Sequence, residues 1–203
     1  MNRIHTLLAA LLLSACSAPG PADETLVSFT SAEELYGFKD LKGEVVLPAK
    51  YVMSFTDTFS KKIAFVIDEK EGLIAIDRKG NYVLTPFMFD NGPDYFEEGL
   101  FRFIEKGKFG FADSNGNKVI PAQFDVAGIF SSGRAAFCEG CEEEIEGEYT
   151  FWRGGKWGFI DKTGKKVIPA QYDQVNDFEN GFAYVELDSA GFDIDTLGNR
   201  AGN

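Results

Sequence analysis

The sharpest local arrangement that could do chemistry is Cys138-Glu139-Gly140-Cys141. Two thiols at this spacing can pair as a disulfide, exchange electrons as a redox couple, or hold half of a tetrahedral metal site. A redox couple wants a βαβ setting and a helix N-terminus to depress one thiol, and neither is legible here. A zinc site wants two further ligands, and the only other cysteine is Cys16. In an exported chain the expectation is therefore a Cys138–Cys141 disulfide. Carboxylates crowd the same segment at Glu139, Glu142, Glu143, Glu144, Glu146 and Glu148. They suit a hard cation such as calcium by charge, but no loop spacing supports one, and a solvated acidic tip that resists edge pairing is the expected reading.

The sole histidine is His5, inside an N-terminal apolar leader. Without it, no Ser-His-Asp triad, Cys-His dyad or imidazole metal site can be built. What remains is carboxylate chemistry, a hydroxyl or thiol nucleophile with a lysine base, or no catalysis. Paired carboxylates do serve glycosidases, yet Asp40, Asp77, Asp113, Asp161 and Asp195 recur at one place in a repeat. A residue repeated with its position is explained by the position, here a loop start where Asp binds nearby backbone N–H groups. No catalytic residue, metal site or cofactor is assigned.

The repeat itself is plainest from Gly155 to Val185, GKWGFIDKTGKKVIPAQYDQVNDFENGFAYV, restated from Gly107 to Phe137 at an offset of 48. Trp157 and Phe159 share one strand face, a tight loop carries Gly164, and Lys166-Val167-Ile168 forms a second strand that Pro169 is expected to end or confine to an edge. After a connector containing Phe178, Phe182-Ala183-Tyr184-Val185 reads as strand three. One unit is thus expected to be a three-stranded antiparallel meander. Its aromatic face cannot be buried alone, so units must stack.

These residues, GKWGFID, the loop glycine, KVIPAQYD and the later Phe-x-x-Gly, resemble the WG-repeat family of bacterial β-repeats. The resemblance implies an all-β repeat array, often on exported or envelope proteins, with no catalytic activity generally assigned. Tyr36, Phe38, Leu73, Phe109, Phe111, Trp157 and Phe159 are expected as repeat core, in preference to a platform for stacking glycans.

Around this pattern the chain divides into a leader at 1–15, a lipidated cysteine and flexible tether at 16–25, and a repeat domain at 26–203. The units span about 26–68, 69–104, 105–138 and 154–187, with an insert at 139–153 and a capping half-unit at 188–203. Ile74 stands where the other units carry glycine, which puts the close backbone approach there in doubt. Leu13-Ser14-Ala15-Cys16 resembles a bacterial lipobox, so Cys16 is the expected lipidation site, and the apolar run before it is too short to span a bilayer. Ser17 permits outer-membrane sorting by resemblance to enterobacterial lipoproteins.

Removal of residues 1–15 would leave 203 − 15 = 188 residues and 20 − 1 = 19 basic side chains against 32 acidic, net −13. That excess disfavours nucleic acid as a partner and is read as solubility before a specific cationic ligand. The expected architecture is an open, curved array, with a small propeller-like ring as the alternative. The expected function is a lipid-anchored, non-enzymatic module of the cell envelope that binds a protein or glycan partner. The alternative is an envelope hydrolase using an Asp/Glu pair. Specificity is expected to lie in the insert, since loops on a rigid scaffold commonly carry function.

Overall fold

A computed structural model describes residues 25–147 and 149–202; the leader, Cys16, most of the tether and Glu148 lie outside them. Every described element is a β-strand, and pairing is antiparallel throughout. The long strands form five meanders. The first comprises Leu26–Thr30, Tyr36–Asp40 and Val45–Tyr51; the second, Ile63–Asp68, Gly72–Asp77 and Tyr82–Pro86; the third, Leu100–Glu105, Lys108–Asp113 and Lys118–Phe124. The fourth comprises Ala135–Glu146, Tyr149–Ile160 and Lys166–Tyr172. The fifth comprises Phe182–Leu187 and Ala190–Asp195, with a bridge from Ile194 to Arg200. No strand of the first meander pairs with one of the fifth among the described residues, so the sheets do not close into a barrel.

The three strands of a meander come from two consecutive sequence units. Strand three of each unit pairs with strand one of the next across a tight turn, as in Leu100–Glu105 with Lys108–Asp113 and Phe182–Leu187 with Ala190–Asp195. Lys106-Gly107 and Asp188-Ser189, all at positive φ, are two-residue turns of the kind that matches strand twist. The trailing strand then bends into the next sheet. Val126-Ala127 pairs with Phe137 and Cys138 of the fourth meander, and Gln174-Val175 with Val185 and Glu186 of the fifth. Consecutive sheets are thereby stitched by one continuous chain.

Within a meander the middle and trailing strands meet at a bulge. Trp157 pairs with Tyr172 and Phe159 with Ile168, so two steps on one strand match four on the other. Tyr36/Tyr51 with Phe38/Leu47, and Phe109/Phe124 with Phe111/Ile120, repeat it. The bulge absorbs Pro169, which lacks an N–H, so the strand continues through it to Tyr172 instead of ending there. It also brings backbone against Gly158, where a Cβ would lie 2.4 Å from the Ile168 carbonyl oxygen. Ile74 cannot accept that approach, and the second meander lacks the two-against-four step there, keeping only the register shift between Ala75 and Ile76. Its trailing strand runs on instead, through Thr85 and Pro86, to pair with Ile104 and Phe103 of the third meander. One seven-stranded sheet results.

Each loop between middle and trailing strand is closed by its aspartate. Asp113 Oδ1 accepts from the backbone N–H groups of Asn115 (2.8 Å) and Asn117 (3.0 Å), and Asp195 does the same for Leu197 and Asn199, both at 2.9 Å. The loop glycine then lies on the preceding meander: Gly164, at φ +82°, sits where a Cβ would come 2.7 Å from Ile120 Cγ2. Phe111 and Phe159 meet the connector rings of Phe130 and Phe178 edge-on at 4.8 and 4.7 Å. Phe38, Leu73, Phe109, Phe111 and Phe159 are buried as expected of a repeat core, whereas Tyr36 and Trp157 are only half-buried.

The insert departs from its reading as a tip loop. It is an extension of two 12-residue strands, Ala135–Glu146 and Tyr149–Ile160, paired from Ala135–Ile160 out to Glu146–Tyr149. Glutamates tolerate an exposed strand here because Glu144 and Glu146 both bridge Arg153 across the hairpin.

Candidate functional site

The base of that hairpin is core. Cys138 and Cys141 are joined by a disulfide, with Cα atoms 5.9 Å apart, and both are buried against Phe124, Phe137 and the half-buried Trp152. Gly140, Gly154 and Gly155, all at positive φ, kink the hairpin at this point. Gly155 is also the only side-chain size that fits, since a Cβ there would come 2.7 Å from Cys138 Sγ. The ring of Trp152 folds back onto Phe109 of the third meander at 5.8 Å, edge-on. The insert therefore leans over the array as a wall.

Under that wall runs a groove of about 740 Å³ between the hairpin, the sheet-switching segments Val126–Ala127 and Gln174–Val175, and the fifth meander. Trp152 and Trp157 form one side, Phe182 and Tyr184 the other, the latter pair 50% and 41% exposed. A second hollow of about 370 Å³ shares Trp152, Trp157 and Val175 with it and extends it towards Asp173 and Arg153. Trp157 packs against the clusters on both sides of the fourth meander and still presents surface to both hollows. The volume suits a ligand site, and the lining sets aromatic side chains beside polar ones, Arg102, Asn176, Asp177, Glu179 and Asp193.

The polar groups of the groove are unequal in sign. Arg102 is its one cationic lining residue, and it is already engaged. Its Nε and one terminal nitrogen donate to the buried Asp94 carboxylate at 3.0 and 2.6 Å, its other terminal nitrogen donates to the Ala127 carbonyl at 3.1 Å, and its plane lies 4.6 Å from the Phe87 ring. Opposite are Asp177, Glu179 and Asp193. Enclosure by the groove pushes the Asp177 carboxyl above its ordinary value; Arg102 counteracts this in part and Glu179 adds to it. Among the described residues these three carboxylates make no hydrogen bond or ion pair.

Other charged pairs repeat with the units and are explained by them. Lys108–Asp125 recurs 48 residues on as Lys156–Asp173, and Lys118–Glu105 has its counterpart in Lys166–Glu139. The loop aspartates Asp77, Asp113, Asp161 and Asp195 are likewise apart from the groove, each closing its own turn. The acidic residues of the insert do not gather: no group of three or more His, Cys, Asp or Glu that could hold a metal ion occurs among the described residues. Sequence reasoning passed over Trp152, Asp177, Phe182, Tyr184 and Asp193. The one signal it had was that Trp152 stands outside the repeat.

No curated protein matches the chain. A family model described as the WG containing repeat matches residues 36–67, 75–109, 109–140 and 157–189, four segments that coincide with the bulged or bulge-replacing hairpins and their connectors. The chain belongs to the WG containing repeat family.

Proposed function

We propose that the chain is a lipid-anchored, non-enzymatic module of the bacterial cell envelope, tethered through Cys16, most simply at the outer membrane, that binds a protein or glycan partner. The observation that carries the binding role is the groove walled by Trp152, Trp157, Phe182 and Tyr184, to which the insert adds Trp152 from outside the repeat. Aromatic walls supply contact area at low entropic cost, and the few carboxylates orient what lies between them. The chain has two tryptophans and both line the groove. Titration of purified protein with panels of peptides and oligosaccharides, read by tryptophan emission, tests the reading. At least one class should shift the emission, and Tyr184→Ala should weaken it; a panel-wide absence of response refutes it.

A second reading, an envelope hydrolase with an acid pair, is favoured by one observation. Asp177, which enclosure by the groove holds above its ordinary value, and Asp193 line the same groove, and glycosidases use two carboxylates as acid and base. Product formation from a panel member, abolished by Asp177→Asn, selects it over the first.

A further inference from the structure

Resting on the groove as the binding site, we infer that its ligand is cationic: an extended polypeptide segment bearing lysine or arginine side chains, whose charged heads enter between the aromatic walls and the carboxylates.

The argument is one of complementarity. Asp177, Glu179 and Asp193 border a concavity whose only cationic lining residue, Arg102, is bound to Asp94 and the Ala127 carbonyl. Elsewhere on this chain, acidic side chains that face neighbouring elements have found lysines, as Asp125, Asp173 and Glu139 have. Those in the groove have not: all three are exposed and unpaired, and Arg102 acts on Asp177 only in part, so the site presents a surplus of negative charge beside its aromatic walls. The walls add a second attraction for the same sign. Trp152, Trp157, Phe182 and Tyr184 offer ring surface, and aromatic faces attract ammonium and guanidinium groups. Arginine and lysine already lie over rings across this molecule, as Arg102 does over Phe87 and Lys166 over Phe137, so the chemistry is one the fold supports. An anionic polymer meets three carboxylates here and no free cation.

The extended form follows from shape. The hollow beyond Trp152 and Trp157 continues the groove past a single side chain's length, and Asp173 stands at its far end. A segment lying along both would set its cationic side chains in the groove, since Asp173 in the second hollow is already paired with Lys156.

The test is titration of the full chain with a lysine decapeptide, a glutamate decapeptide of equal length and a neutral oligosaccharide, cellohexaose, at low and at raised salt, followed by tryptophan emission. Two triple variants are compared. D177N/E179Q/D193N neutralises the groove, and E33Q/E69Q/E71Q removes the same charge from exposed positions elsewhere. The lysine peptide should bind and shift the emission, the glutamate peptide should not, and raised salt should weaken binding. The groove variant should lose about tenfold in affinity, the sum of several partly screened contacts, and the control much less. Equal losses in both variants overturn the inference, since net charge alone would then act. If cellohexaose shifts the emission and the lysine peptide does not, the groove remains a ligand site and the cationic assignment fails. Silence from all three probes removes both.

Discussion

Replacing Gly158 with alanine tests the structural element on which the repeat rests. A Cβ built on Gly158 would stand 2.4 Å from the Ile168 oxygen and 2.7 Å from both the Ala170 nitrogen and the Pro169 carbonyl carbon. All three are backbone atoms of the bulge, so no side chain can swing aside. The trailing strand must retreat, and Phe159, Ile168 and Tyr172, which share one buried cluster, lose registry with it. Overpacking of a close-packed site costs about 1–3 kcal/mol, and the displaced ring contacts place this case at the upper end, about 3 kcal/mol. For a chain of this length that is a fall in Tm of roughly 6–12 °C. Gly110→Ala should behave alike, because its Cβ would meet the Ala122 nitrogen and the Ile120 oxygen at 2.7 Å. Gly92→Ala is the internal control. Its nearest neighbour would be a Phe55 ring carbon at an ordinary 3.5 Å, and alanine there should be neutral or stabilise by about 0.5 kcal/mol through the unfolded chain. Thermal unfolding followed by circular dichroism reads all three. If Gly158→Ala melts within about 1 °C of the parent, the bulge yields freely, and the account of why Ile74 reroutes its strand is wrong.

Acid should loosen the array. At Asp113 partial burial raises the carboxyl, but the Asn117 side chain and the backbone N–H groups of Asn117 and Asn115 outweigh it and hold it below its ordinary value; Asp161, bonded first by Thr163, and Asp195, bonded first by Asn199, are lowered too. Since the folded state binds protons more weakly there, this stability is present above the unfolded value near pH 4 and is lost as pH falls through the lower folded values. Asp113→Asn should therefore be less stable than the parent at pH 7 and lose less between pH 5 and 3 in denaturant titrations; an unchanged acid limb counts against the loop role. Cys16→Ala should leave the protein unlipidated and in the soluble fraction; retention on membranes washed in high salt contradicts the proposed anchor.

The periodic parts of the fold were legible because each rests on a local rule. Asp113 starts a loop wherever it occurs, and the match of Lys118–Gln123 with Lys166–Gln171 shows a duplication whatever the unit does. The grouping of strands into sheets was not legible, since a period has no phase: the same letters fit a sheet closed within a unit or one shared by two. Lys106-Gly107 held the answer, as a two-residue turn between alternating strands ties the strand before it to the strand after it. The insert was misread because glutamate disfavours strands in isolation, while the Glu144–Arg153 and Glu146–Arg153 pairs that support it form only across the folded hairpin. The groove escaped for a related reason. Arg102, Trp152 and Asp177 are far apart in sequence and meet only through the stacking of three meanders.

The placement of each loop glycine on the preceding meander orders the folding of the chain in time. Ile120 is fully buried, yet part of what covers it is the loop at Gly164, made later in synthesis, just as Ile168 waits for Gly198. The trailing strand of each sheet likewise finds its second set of partners only in strands still to come, as Val126 does in Cys138. A nascent chain emerging from its N-terminus therefore always carries one unfinished meander behind the point of synthesis, apolar side open and strand edge unpaired. Were the chain to fold from its N-terminus onward, assembly would advance as a front that lags the emerging end by about one unit, leaving the last meander's apolar side open until the next arrives.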